Sequence, residues 1–182
     1  PTEGNPTVIS GENGTLTVNV NGTYSYKADA NTGGKADSFK FEITDADNDK
    51  AEATIDITIS AATGPTATTK VTVDEKGLFD STDNSEIAEV TVTGYTVVDG
   101  GNGTYGNVSF VDGKWVYTLT DTFTHTGTGA DTKVDADTVT IKVKDAQGNT
   151  FNVDVKVDIK DAVPTISASD NLTAVSGNES ET

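Results

Sequence analysis

The sequence predicts an all-β protein of two tandem Greek-key β-sandwich modules, of which the first is incomplete or split. Short runs of alternating apolar and polar residues recur along the chain, and this period of two is typical of strands with one buried face. Turn residues separate the runs, and no segment of about ten or more residues shows helical periodicity. Strand number, spacing and turn density together favour sandwiches.

A predicted hairpin at residues 37–60 is the most regular element, and it recurs later in the chain. Both of its arms alternate apolar with polar residues. Residues 137–160 repeat the pattern without a gap, and Asp137 takes the place of Asp37. Since each copy has its own apolar face, we interpret the chain as two copies of one module.

The first module is predicted to span residues 1–62. Two strands at 15–19 and 23–27 are joined by Asn21-Gly22, a dipeptide that tolerates the positive φ of tight hairpins. Together with the hairpin at residues 37–60, which we call the acidic hairpin, the module has about five strands. A sandwich of this kind needs about seven. We therefore expect the initial strands of this module to be missing.

The second module is predicted to span residues 63–165, after a small, polar linker that contains Pro65. Residues 166–182 are polar and rich in Ser and Asn, and we interpret them as a tail or the start of a further repeat. Before its copy of the hairpin, the second module has predicted strands at 70–73, 90–98, 108–111 and 115–119.

Composition restricts the function. The chain has 29 acidic and 12 basic residues and a net charge of −17. Nucleic acid is therefore not expected as a partner, because phosphate contacts need a basic face. The chain also has no Cys. No apolar run approaches the roughly 18 residues of a membrane helix, and we expect no membrane insertion. Such a charge repels itself unless cations compensate it. Divalent metal is one answer, and a solvated acidic surface is the alternative.

Several short strings resemble tandem bacterial Ig-like and cadherin-like repeats, with the VCBS-type repeat as the named pattern. The strings are GTYG at 103–106, DGKWVYTL at 112–119 and KDAQG at 144–148. Residues 13–59 resemble the carboxyl-terminal half of such a repeat, and residues 161–182 resemble the start of the next. The resemblance implies an Ig-like fold and a giant RTX adhesin, exported by type I secretion to the extracellular surface of a bacterium.

In such adhesins, the resemblance implies, stacked modules hold a ligand-binding tip away from the cell, and calcium rigidifies the junctions. The implied partners are neighbouring Ig-like repeats of the same chain and, through the parent adhesin, a glycan or protein of a host or other surface. Attachment or biofilm formation is the implied role.

Asp45, Asp47 and Asp49 form the first candidate metal site, at the tip of the acidic hairpin. Their D-x-D-x-D spacing lets alternate oxygens converge on Ca²⁺, which takes six to eight oxygen ligands. Lys50 and Asp56 stand where an EF-hand needs Gly and Glu, so the spacing does not predict an EF-hand. The alternative is a solvated acidic tip.

Further candidate ligands are expected at the ends of the modules. In an Ig-like sandwich the turn between the last two strands faces the previous domain, so one interpretation is a calcium site shared across the junction. Asp37 and Asp137 could instead cap local turns. The candidates at the junction are Asp29, Asp37, Asp145 and Asn149, and those at the far end are Asp131, Asp135, Asp137 and Asp161.

Trp115 and Tyr117 lie on one face of a predicted strand. They are a candidate sugar-binding platform, although aromatic pairs on sandwich strands are usually core. His125 has no Cys or second His to complete a zinc site and is interpreted as a loop residue. No Ser-His-Asp constellation or phosphate loop can be assembled, so we do not expect an enzyme.

Two functions follow. The first is a calcium-stabilised extender region of a surface adhesin. The alternative is a ligand-binding module, for sugar or peptide, in the same kind of adhesin. Exposure of the aromatic pairs separates the two, because an extender buries them and a sugar binder presents them in a groove.

Overall fold

The computed structural model describes residues 1, 4–44, 47–127 and 129–163, so the predicted tail at 166–182 lies outside the described residues. Within these ranges the regular secondary structure is β-strand, apart from one turn of helix, α1 (Lys76–Phe79). The prediction of an all-β, Ig-like sandwich protein is confirmed. None of the helical structure in the described ranges is long and apolar enough to cross a membrane.

The described residues of the predicted first module form two small antiparallel sheets. β1–β2–β3 form one sheet and β4–β5 the other. The turn at Asn21-Gly22 is present, with Gly22 at φ +80°, and the acidic hairpin pairs as predicted, with Phe39 opposite Ile55. The strands are β1 (Thr7–Ser10), β2 (Gly14–Val18), β3 (Tyr24–Ala28), β4 (Ala36–Thr44) and β5 (Lys50–Thr58).

The core of the first module is small. Among its described apolar side chains, Leu16 and Phe39 are buried. By contrast, Val8 and Ile43 are 63% and 64% exposed, although each lies on a strand. The sheets therefore leave apolar surface uncovered, which is what a sandwich short of strands would do.

The second module is a sandwich of two four-stranded sheets, in the orders β7–β11–β10–β9 and β6–β13–β12–β8. β12 and β13 pair antiparallel along most of their length, whereas β6 pairs in parallel with β13. The strands are β6 (Thr69–Asp74), β7 (Ile87–Glu89), β8 (Thr96–Asp99), β9 (Gly101–Asn102), β10 (Gly106–Val111), β11 (Lys114–Leu119), β12 (Thr132–Lys144) and β13 (Thr150–Lys160).

The core of the second module follows the predicted alternation. Every second residue points inward in β12 from Asp137 to Val143 and in β13 from Phe151 to Ile159. The apolar side chains among them meet Tyr117 and Leu119 from the facing sheet. The prediction of one strand at 90–98 differs from the structure, in which only β8 forms in this segment. Residues 90–95 cross from one sheet to the other, so Val90 and Val92 are buried without belonging to a strand.

Candidate functional site

The carboxylate of Asp137 lies inside the second module, where it holds a turn. It accepts hydrogen bonds from the backbone N–H groups of Thr104 at 2.8 Å, Tyr105 at 3.0 Å and Thr138 at 2.8 Å. The hydroxyl of Tyr117 donates a fourth at 2.8 Å. Burial alone would raise the pKa of this carboxyl, but the hydrogen bonds hold the pKa of Asp137 below its ordinary value. Burial and the bond to Asp137 raise the pKa of Tyr117.

The first module contains the same arrangement around Asp37. This carboxylate accepts hydrogen bonds from the hydroxyl of Tyr26 at 2.7 Å and from the backbone and side-chain nitrogens of Asn13 at 3.1 and 3.0 Å. The bond from Tyr26 is the main reason that the pKa of Asp37 is lowered. Of the two roles that the sequence leaves open for Asp37 and Asp137, metal ligand and turn cap, the hydrogen bonds favour the turn cap.

The turn between β12 and β13 contacts the loop that follows β3, and this contact joins the two modules. The N–H of Asn31 donates to Oδ1 of Asn149 at 2.8 Å, and the N–H of Thr150 donates to Oδ1 of Asn31 at 2.8 Å. Asn31 is in the left-handed region, at φ 61°, which Asn adopts more readily than most residues. A cleft of about 490 Å³ at this junction is lined by Asp29 and Asn149 among others.

Asp145 acts within its own turn. Its Oδ1 accepts the N–H groups of Gln147 at 2.9 Å and Asn149 at 2.8 Å, and its Oδ2 accepts Nδ2 of Asn149 at 2.8 Å. These bonds, led by the one from the Asn149 side chain, lower the pKa of Asp145. The turn thus fixes Asn149 in position to contact the first module, and a cation at the junction would have to replace some of these bonds.

The tip of the acidic hairpin lies at the other end of the first module. Asp47 and Asp49 are exposed there, and Asp45 lies outside the described residues. The nine residues of β4 span about 30 Å at about 3.3 Å per residue, which separates the tip from the junction. A calcium site at this tip stays a prediction from residue spacing.

Asp131 and Asp161 lie together where the chain leaves the second module. The N–H of Asp161 donates to the carbonyl oxygen of Asp131 at 2.9 Å. Asp135 instead faces Lys70, whose Nζ is 3.1 Å from its carboxylate, and Asp137 holds the turn described above. Two of the four far-end candidates are therefore brought together.

The same end of the module contains His125 and Glu75, which the sequence did not single out as ligands. The side chain of His125 is only 5% exposed, with Nδ1 2.5 Å from the carboxylate of Asp131 and Nε2 3.5 Å from that of Glu75. Its place in a loop agrees with the prediction from the sequence, which did not address its burial. Phe123 and His125 alternate and pack together with ring centroids 5.1 Å apart, and this alternation was the available signal.

The candidate aromatic platform divides between core and surface. Tyr117 is fully buried, whereas Trp115 is half-buried and packs against Phe110, which is 61% exposed. Their ring centroids are 5.4 Å apart, and both line an open groove of about 680 Å³. A ligand in this groove would contact Trp115 and Phe110 and would not reach Tyr117.

Comparisons with known proteins give a result for the first module. No curated protein matches the chain. Bacterial Ig domains are often found on extracellular surface proteins. Residues 2–58 match the family described as Bacterial Ig domain, and this match, together with the β-structure described above, identifies the first module as similar to a bacterial Ig domain.

Proposed function

We propose that this chain is an extender region of a large bacterial surface adhesin, and that its Ig-like modules hold a binding region away from the cell for attachment or biofilm formation. The junction carries the proposal, because reciprocal hydrogen bonds between Asn31 and the Asn149-Thr150 turn hold one module against the next. Resistance to bending is the property that an extender needs. The match of residues 2–58 to bacterial Ig domains supports this class. The proposed role is structural and not enzymatic.

Calcium is the proposed stabilising ion, and its support comes from charge and residue spacing. A net charge of −17 repels itself in a small folded protein. The Asp47 and Asp49 side chains stand at an exposed tip, where oxygen ligands at alternate positions suit Ca²⁺. Neighbouring repeats of the same chain are the proposed partners, with export by type I secretion to the cell surface.

The junction can be tested by small-angle scattering. Asn31→Ala combined with Asn149→Ala removes the side-chain groups that bond across the junction, so we expect the distribution of interatomic distances to broaden as the modules reorient. Asn152→Ala, at an exposed position on β13, is the matched control and should leave the curve unchanged. Identical scattering from the double variant and the original chain would contradict an extender stiffened at this contact.

Calcium dependence is tested by melting the chain in chelator, in millimolar Ca²⁺ and in millimolar Mg²⁺. An ion that binds only the folded state stabilises it by about 2.7 kcal/mol at a hundredfold excess over Kd. We expect Ca²⁺ to raise the melting temperature more than Mg²⁺, which demands a tight octahedron. Equal melting temperatures in chelator and in Ca²⁺ would remove calcium from the proposal.

Ligand binding is a second candidate function, favoured by the groove beside Trp115 and Phe110. Trp115 is the only Trp of the chain, so a glycan or peptide that stacks on it should change the intrinsic fluorescence. Phe110→Ala should weaken that response without unfolding the module, because Phe110 is largely exposed. A flat fluorescence signal across a broad ligand set would count against this candidate and leave the extender role standing.

A further inference from the structure

Carboxylates from three neighbouring strands meet where the chain leaves the second module. β6 and β13 run parallel, with Asp74 beside Lys160. Glu75 and Asp161 directly follow these two residues, so they lie side by side at the same edge of the sheet. β12 runs antiparallel to β13 and brings Asp131 to that level, where its carbonyl oxygen accepts the N–H of Asp161 at 2.9 Å. The sheet register, not a sequence motif, creates this cluster.

His125 covers the cluster, and its two ring nitrogens face carboxylates without a hydrogen bond to either. Its side chain is 5% exposed, and both ring nitrogens are buried without a hydrogen bond, although Nδ1 lies within ion-pair distance of the Asp131 carboxylate. A buried polar group in this state costs free energy unless a partner compensates it. The imidazole nitrogens face the carboxylates of Glu75 and Asp131. A compensating partner for the ring would therefore lie among these carboxylates.

The distances suit ligands that share an ion. Nε2 of His125 and Oε2 of Glu75 are 3.5 Å apart, which is longer than a good hydrogen bond. Two ligands of a tetrahedral ion, each at about 2.0–2.1 Å, are separated by about 3.3 Å. One His125 nitrogen and one carboxylate oxygen each from Glu75 and Asp161 all lie within 4.8 Å of one another. Small side-chain rotations would place all three on one ion.

The surroundings orient these groups. Oε1 of Glu75 accepts the backbone N–H of Phe123, which leaves Oε2 to face His125. The carboxylate of Asp131 lies 2.5 Å from Nδ1, on the opposite side of the ring, and a metal-bound His usually donates its second N–H to such a carboxylate. The ring of Phe123 packs edge-on against the imidazole and shields it from water.

We propose that Glu75, His125 and Asp161 bind a zinc-type transition-metal ion, with Asp131 as the residue that positions the imidazole and water in the fourth place. An imidazole nitrogen with two carboxylate oxygens suits Zn²⁺, whereas Ca²⁺ prefers a shell of six to eight oxygens. The site clamps three strand ends and a loop at the exit of the second module. It is independent of the calcium that we propose elsewhere in the chain.

The test uses the full chain without a His-tag, stripped of metal by chelator, and titrates it with Zn²⁺ or Ca²⁺. Because the chain has one His, a long-range ¹H–¹⁵N spectrum reports the imidazole of His125 alone. We expect Zn²⁺ to shift Nε2 to a metal-bound position, to fix the proton on Nδ1 and to raise the melting temperature, whereas Ca²⁺ leaves the imidazole signals in place.

Variants then separate ligands from neighbours. Asp131→Asn should lower the Zn²⁺ affinity by about 10- to 100-fold, as for other carboxylates that orient a ligating His, and His125→Gln should lower it further. Asp121→Asn removes the same charge at an exposed position of the same loop and should have no effect.

Two results would overturn the site. One is an imidazole spectrum that saturating Zn²⁺ does not change, which would mean that His125 binds no metal. The other is Zn²⁺ binding of equal strength in the original chain and in His125→Gln. The spectrum of the unmodified chain decides the question even if the variants fold poorly.

Discussion

At the scale of single residues, a hydrogen-bonded Tyr–Asp pair is the feature that both modules share. In the second module the Tyr117 hydroxyl donates to Asp137 at 2.8 Å, with both residues buried. In the first module the Tyr26 hydroxyl donates to Asp37 at 2.7 Å. Each carboxylate also bonds the backbone of the turn beside it, so the pair ties a strand to a turn. This is a structural use of acidic residues in a chain otherwise rich in exposed carboxylates.

Replacing Tyr117 with Phe should destabilise the second module. The change keeps the ring but removes a hydrogen bond to a charged group, for which about 1.5–3 kcal/mol is typical. Urea unfolding of the full chain measures the loss. Tyr24→Phe is the matched control, because Tyr24 is 55% exposed and its hydroxyl can bond water instead. Equal stability of the two variants would mean that the Tyr117 hydroxyl adds nothing.

The same pair predicts how stability depends on pH. The folded-state pKa of Asp137 is lowered, so its contribution is present above its unfolded pKa of about 3.9 and is lost as the pH falls through the folded value. The pKa of Tyr117 is raised, so its contribution is present below about pH 10 and is lost as the pH rises towards the folded value. Unfolding free energies measured across the pH range should therefore fall in an acid limb, from Asp137, and in an alkaline limb, from Tyr117. Tyr117→Phe should flatten the alkaline limb, and an unchanged limb would contradict this assignment.

At the scale of elements, the turn that leads into β10 depends on close packing of Gly103. A Cβ at Gly103 would lie 2.3–2.6 Å from the carboxylate atoms of Asp137, where no real Cβ can sit. Gly103→Ala must therefore displace a buried carboxylate that bonds two backbone N–H groups of this turn. We expect a loss of about 3 kcal/mol in unfolding free energy, at the upper end of what overpacking costs.

Gly94→Ala is the comparison for this prediction. Gly94 has φ +81° with open space around its Cβ position, so the substitution meets only the left-handed strain of about 1–2 kcal/mol. If the two variants lose the same stability in parallel denaturation experiments, close approach to Asp137 is not what requires Gly103.

The sequence predicts the local elements of this protein well, because their causes are local. Alternation places β4, β5, β12 and β13, and the positive φ values of Asp112 and Gly113 fit the turn predicted between two strands. The sheet change at 90–95 is not predicted, since a buried apolar run has the same appearance whether it pairs or crosses. The parallel pairing of β6 and β13 is also not predicted from the sequence, because it joins segments about 85 residues apart.

For the candidate sites, too, the sequence predicts the local features but not the contacts between distant residues. Asp37 and Asp137 are recognisable as equivalent from the repeat, but the turn residues Asn13 and Thr104, whose backbone N–H groups bond them, lie 24 and 33 residues away. Glu75 and His125 carry no motif, and only the register of three strands brings them to Asp161. Sequence spacing identifies acidic residues at strand ends, but it does not tell which of them bond their own turns and which face a neighbour.

At the scale of the whole molecule, the two modules differ in how much core they possess. In the described part of the first module the buried apolar side chains are Leu16 and Phe39, whereas the second module buries a continuous cluster that includes Tyr117, Ile141 and Ile159. Apolar burial is the main favourable term in folding, at about 25 cal/mol per Å². The modules therefore should not be equally stable, and the contact through Asn31 is too small to make them unfold as one.

The last prediction is that the chain melts in two steps, with the first module unfolding first. Calorimetry should show a minor transition at lower temperature followed by a larger one, since the enthalpy of unfolding grows with the structure lost. Hydrogen exchange assigns the steps, because amides of β4 should exchange through the first opening and amides of β12 only through the second. Asn31→Ala weakens the junction and should lower the first transition slightly while leaving the second in place. A single transition, with β4 and β12 protected to the same degree, would show instead that the two modules form one cooperative unit.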